Sequence, residues 1–200
     1  MMKPRFRPSR CAQRGVSLFI ALIILVAMML TGVAVIRSVD AGNMLSGNLA
    51  LKQSTLQAAD QGVDAAYQWL LANAGNGTLD NTNQATGYYS SRPATEPDWT
   101  DPTQWPAAVA LQPDAAGNTV SYVIHRMCTQ PNTPYNGNNG GVANECAMSF
   151  ASGGSSSGGS MSVDAPVFQG NPQLFFRVTS LTTGPRGTYS VTQSMVRVSN

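Results

Sequence analysis

A single histidine, His125, and three cysteines are the only imidazole and thiol groups in a chain of 200 residues. No two cysteines stand in a CxxC pair, and His125 lies apart from Cys146. A zinc ion would therefore be under-coordinated, because structural sites take four nitrogen or sulfur ligands. There is no P-loop and no dinucleotide fingerprint. A lone histidine inside a strand reads as a pairing or surface residue and not as a general base, and nothing gathers carboxylates into a paired site. The sequence thus points away from an enzyme, and it implies no cofactor and no metal. Charged residues make up only 11% of the chain. Proline is missing from the whole stretch between Pro8 and Pro93, so nothing there forbids a very long helix.

Against these absences stands residues 16–36, VSLFIALIILVAMMLTGVAVI, a run without charge or proline. About 20 apolar residues at 1.5 Å rise per residue match the hydrocarbon thickness of a bilayer. Its two hydroxyls, Ser17 and Thr31, can each bond a backbone carbonyl one turn back. Before Val16 lie five basic residues (Lys3, Arg5, Arg7, Arg10 and Arg14) and no acid. The rest of the chain holds seven basic and ten acidic residues, a balance of −3 hidden beneath the overall +2. Such a basic flank places the N-terminus in the cytoplasm and the bulk of the chain on the outer side of the membrane. It does not indicate nucleic-acid binding, since no Lys/Arg cluster follows the leader. A cleaved secretory signal fits less well, because its apolar core spans about 7 to 15 residues and a small-x-small site follows. A lipoprotein would need its cysteine after the run, and Cys11 precedes it.

Four segments follow from this reading: a basic leader at 1–15, a membrane half-helix at 16–36, an exported half-helix at 37–75, and an exported β domain at 76–200. Apolar residues at Met44, Leu45, Leu49, Leu51, Leu56, Ala59, Val63, Ala66, Trp69 and Leu70 recur at three and four, which predicts a stripe packed on a sheet. Tyr67 and Trp69 are read as core residues of that contact. The helix is expected to end near Asn73–Gly77, where glycine supplies a left-handed cap. The region up to Asp114 is polar and irregular. It holds Glu96, Asp98 and Asp101, whose spacing matches no EF loop and lacks the closing glutamate, so a solvated loop is expected. Alternation predicts strands at TVSYVIHRM, QLFFRVTSLT and TYSVTQSMVRV, the last two an antiparallel hairpin in a sheet of four strands. Cys128 and Cys146, exported together, are expected to form a disulfide around an Asn/Gly/Pro-rich loop, with a loop-closure value of about 3 kcal/mol. Residues 153–159, GGSSSGG, read as a low-complexity linker or a mobile tip.

The leader ending in Gln13-Arg14-Gly15, the following Val16-Ser17-Leu18, the apolar core and the segment NMLSGNLALKQSTLQAADQGVDAA together carry a resemblance. Over residues 10–70, and again over 173–198, the chain resembles bacterial type IV pilus assembly proteins of the PilX kind, minor pilins with a prepilin-type leader. The resemblance implies a type IV pilin-like α+β fold, a long N-terminal helix packed on an antiparallel sheet. It implies that a prepilin peptidase cuts between Gly15 and Val16 and N-methylates Val16. Most pilins carry a glutamate where this chain has Ile20. That substitution avoids a buried carboxylate but cannot neutralise a neighbour's terminal amine, so a subunit in small numbers, at or near the tip or in a priming complex, is expected.

The expected function is to prime pilus assembly with other minor pilins, the major pilin and the assembly machinery. Two other readings remain open. One is a tip-associated adhesion or surface-binding module using the loops around Trp99, Trp105 and the cysteines, alone or with a tip adhesin. The other is a minor pseudopilin of type II secretion.

Overall fold

The computed structural model describes residues 16–150 and 172–199. Gly15 with the rest of the leader, Cys11, and residues 153–159 lie outside the described residues. Helix α1 (Val16–Ala72) is unbroken over 57 residues. Strands follow as β1 (Tyr88–Tyr89), β2 (Val109–Ala110), β3 (Thr119–Arg126), β4 (Asn138–Asn139), β5 (Val142–Ala143), β6 (Met148–Phe150), β7 (Pro172–Thr183) and β8 (Tyr189–Ser199). The boundary between two compact units, Met1–Leu49 and Ala50–Asn200, falls within α1.

In the first unit every described residue is exposed. α1 is long and apolar enough in this part to cross a membrane. The Thr31 hydroxyl donates to the Met28 carbonyl at 2.9 Å, satisfying itself within the helix.

The second unit is a helix–sheet layer. β3, β7 and β8 run antiparallel, with Ile124 opposite Val178 and Val178 opposite Ser194. β6 pairs with β7 at Leu174, beyond the end of β3, and so continues the lane of β3. On the other side of β3 lie β2, antiparallel, and β1, parallel. The sheet is therefore mixed where an antiparallel one was expected. A two-residue strand shows no alternation, so β1 left no periodic trace in the sequence. β4 and β5 form a separate small hairpin.

The face of the sheet bearing Tyr122, Ile124, Phe176 and Val178 packs with Ala66 and Leu70 of α1 into the main core. Trp69 and Tyr67 pack against it, as expected, with the Trp69 ring 5.2 Å from that of Tyr88. The contact stripe is narrower than the apolar pattern suggested. Met44, Leu45 and Leu49 are exposed, whereas the buried helical residues are Thr55, Ala58, Ala59, Gly62, Ala66 and Leu70. Small side chains dominate because the helix lies close to the sheet. A Cβ on Gly62 would fall 2.7 Å from Val120 Cγ1 and 2.8 Å from Ser180 Oγ. Ser180 Oγ donates to the Ala59 carbonyl at 3.1 Å, tying sheet to helix. Thr55 Oγ1 shares a proton with Ser190 Oγ at 2.8 Å in the same layer.

α1 ends where the sequence placed its stop. The Asn73 amide side chain donates to the Trp69 carbonyl at 2.8 Å, and Gly75 follows at φ 73°. The β7–β8 hairpin turns through Pro185–Gly187, closed by Gly184 N–H donating to the Thr188 carbonyl at 2.7 Å.

Candidate functional site

The residues singled out in the sequence lie in separate places. Val16 opens α1, Ile20 sits in the exposed apolar run at 50% exposure, and Gly15 is outside the described residues. Cys128 and Cys146 are joined as a disulfide at the junction where β6 takes over from β3. Glu96, Asp98 and Asp101 do not converge. Asp98 Oδ1 accepts from the backbone and hydroxyl of Thr100, and Asp101 Oδ1 does the same with Thr103. Those bonds hold both carboxyls below the usual range. Each carboxylate is occupied in shaping its own turn. Among the described residues no group of three His, Cys, Asp or Glu side chains is placed to hold a metal.

Two assemblies do form, one on each face of the sheet at the same end of β3. The first is built on Arg126, the largest fully buried side chain among the described residues. Its Nε donates to the Ser90 carbonyl and its Nη1 to Asp80 Oδ1, both at 2.8 Å, while Nη2 donates to the Thr133 carbonyl. Asn144 Nδ2 adds bonds to the Thr133 and Pro134 carbonyls at 3.0 Å. Asn132 Oδ1 accepts from Thr82 N–H at 2.8 Å. The stretch between the cysteines is thus anchored from within as well as clamped by the disulfide. It also carries the β4–β5 hairpin, where an irregular loop was expected. Guanidinium suits this position because its fork of donors reaches several carbonyls from one stem.

The second assembly is a cleft of about 890 Å³ on the opposite face of the sheet. Residues 120, 122, 124 and 126 point toward the helix layer, so His125 points away, with Arg177 opposite it on β7. Tyr89, opposite His125 on β1, stacks on the imidazole with ring centroids 5.0 Å apart. Trp99 meets the same imidazole edge-on at 5.8 Å, and Trp105 meets Trp99 edge-on at 5.2 Å. Arg177 lies over the Trp99 ring, its guanidinium carbon 5.5 Å from the centroid. Glu96 fastens the loop to the sheet by accepting from Arg177 Nη1 at 2.6 Å and from Trp99 Nε1 at 3.0 Å. Burial acts to raise the Glu96 pKa, but the bonds from Arg177 and Trp99 outweigh it and hold the carboxyl below its usual value.

His125 is 3% exposed, and its Nδ1 has no hydrogen-bond partner. Burial, reinforced by the Arg177 charge and opposed by Glu96, pushes its pKa down to about 4. The ring is therefore neutral at neutral pH. Pro93, Pro97, Pro106 and Pro131 stiffen the rim, and Arg92, Gln104 and Thr129 add polar groups to it. Arg92 N–H donates to the Cys128 carbonyl at 2.9 Å, coupling the rim to the disulfide.

The arrangement has the features of a binding site: aromatic faces, a few fixed polar groups and a preformed wall. Sequence reading expected His125 to be a pairing or surface residue, and it is a buried part of the cleft floor. Arg126 carries no motif, yet its parity with Val120, Tyr122 and Ile124 is a readable sign that it points inward. No known protein family, curated protein or solved structure matches this chain.

Proposed function

We propose that the protein is a minor pilin that primes type IV pilus assembly, at or near the tip, in complex with other minor pilins. One observation carries this reading. α1 continues without a break from residues 16–49, where every side chain is exposed and the first half is apolar, into a second part that packs on a sheet. A helix with an apolar surface uncovered all round is suited first to lipid and then to other helices of its own kind. Small residues along it (Ala21, Ala27, Gly32 and Ala34) allow close helix approach. Ile20 supports a subunit used in small numbers, because it supplies no carboxylate for a neighbour's terminal amine. Prepilin peptidase processing at Gly15–Val16, with methylation of Val16, is the step that frees the helix from its basic leader. The inner membrane is the proposed site before assembly, with the second unit periplasmic.

The test is a Gly15 substitution. An unprocessed precursor and loss of surface filaments are expected; normal processing together with normal filaments would overturn the reading. A minor pseudopilin of a secretion machine would show the same processing with lost secretion and intact pili.

A second reading, a surface-binding module, is favoured by the cleft over His125. Deleting the stretch between the cysteines would not test it, since Arg126 loses a partner there. Substitution of Trp99 is the cleaner probe: lost adhesion with unchanged filament number favours binding.

A further inference from the structure

We propose that the cleft over His125 is a saccharide site, which takes an uncharged pyranose ring against the aromatic wall of Tyr89 and Trp99. This inference rests on the surface-binding reading above and adds its ligand class. The C–H edges of a pyranose carry slight positive charge and pack on the negative face of an aromatic ring. Both aromatic residues line the cleft and are partly exposed. A sugar hydroxyl is both donor and acceptor, and the wall supplies both kinds of partner. Glu96 is an acceptor, Arg92 a donor, and Gln104 and Thr129 are each both.

One further observation points to a ligand: His125 lines the cleft, and its Nδ1 is buried there without a hydrogen-bond partner. Buried polar atoms are ordinarily satisfied, so the floor is short of hydrogen-bonding groups that a hydroxylated ligand, or water, supplies. Charge selects among ligands. The lining holds one cation, Arg92, and one carboxylate, Glu96, and Arg177 below is already bonded to Glu96. An anionic polymer finds no cluster of free cations there. A volume of about 890 Å³ leaves room for more than one ring and falls within the ~300–1,000 Å³ range of small-molecule sites. Four rim prolines hold the wall in place before binding, which lowers the ordering cost of association.

The full chain, purified in a sugar-free zwitterionic detergent, is titrated with glucose, galactose, mannose, N-acetylglucosamine and their short oligomers. Tryptophan fluorescence and saturation-transfer NMR are the readouts. At least one sugar is expected to bind with saturable, millimolar or tighter affinity. Trp99→Leu and Glu96→Gln should each weaken that binding at least tenfold. Near-UV circular dichroism reports whether each variant is folded, and Gln104→Ala, at an exposed rim position, provides a milder variant with a severalfold loss. Absence of binding by every sugar to 50 mM, or binding unchanged in the folded variants, overturns the proposal. Selective binding of a proline-rich peptide in place of sugars also overturns it. The surface-binding reading fails separately: it falls if piliated cells carrying Trp99→Leu adhere as the parent does, and it stands if they lose adhesion although no sugar binds.

Discussion

Replacing Arg126 by Met tests the interior of the second unit most sharply. Methionine occupies much of the volume of the arginine stem, so the apolar contacts of the chain are largely kept. What disappears are the bonds to Ser90, Asp80 and Thr133. The consequences differ among the three acceptors. The Thr133 carbonyl keeps its bond from Asn144 Nδ2 at 3.0 Å. The Asp80 side chain is 21% exposed and can turn toward water, whereas Arg126 is fully buried. The Ser90 carbonyl loses the Arg126 Nε bond at 2.8 Å, and an unsatisfied buried acceptor costs about 1–3 kcal/mol. With the charge-assisted bonds added, a loss of about 3–5 kcal/mol is expected, the range found when one partner of a buried pair is removed. That is a large share of the ~5–15 kcal/mol that holds a domain folded. Asp80→Asn keeps an acceptor but leaves the fully buried Arg126 guanidinium without its charge partner, so a comparable loss of about 3–5 kcal/mol is expected. Urea unfolding of the two single variants and the double variant supplies the measurement. A coupling of at least about 0.5 kcal/mol is expected between neighbours that share a bond. If Arg126→Met lies within about 1 kcal/mol of the parent, or the two substitutions are additive, the assigned role of this network is wrong.

Protonation of His125 gives a second expectation. Its folded pKa of about 4 lies below the unfolded value of 6.5, so the unfolded chain takes up the proton first as pH falls. Stability from the neutral ring is whole above pH 6.5 and is lost between there and pH 4, by up to about 3 kcal/mol. The parent should lose stability relative to His125→Phe as pH falls across that range; parallel curves would refute the assignment. Glu96, whose folded pKa is lowered, adds a separate loss only as pH falls below its ordinary value of 4.5. Gly62→Val should destabilise by about 1–3 kcal/mol, because its Cβ meets Val120 and Ser180, while the same change at exposed Gly47 should not. Thermal unfolding distinguishes the two sites. Replacing Cys128 and Cys146 by Ser should cost about 3 kcal/mol and expose residues 129–145 to protease. Unchanged proteolysis would mean that the Arg126 anchor alone holds that loop.

The elements with strong periodic signals were legible in the sequence. The span of α1, its stop near Asn73, strand β3, the β7–β8 hairpin and the disulfide all follow from hydropathy, turn residues or the cysteine count. The small-residue stripe was not, because Thr55, Ala58 and Gly62 are defined by what approaches them and not by their own hydropathy. Strand β1 was too short to alternate. The cleft was hidden for a different reason. Trp99, His125 and Arg177 lie far apart in sequence, and only the register of β3 against β7 brings the last two together. The acidic residues of the same loop read as a solvated turn, which holds for Asp98 and Asp101, whereas Glu96 serves Arg177 and Trp99.

In the proposed function α1 loses its basic leader before it leaves the membrane for a filament. Intact-mass measurement of the protein recovered from sheared filaments tests this most directly. A chain that begins at Val16 and carries one added methyl group at its terminal amine is the expected result. A chain that still bears the leader, or one cut beyond Ile36, would contradict it.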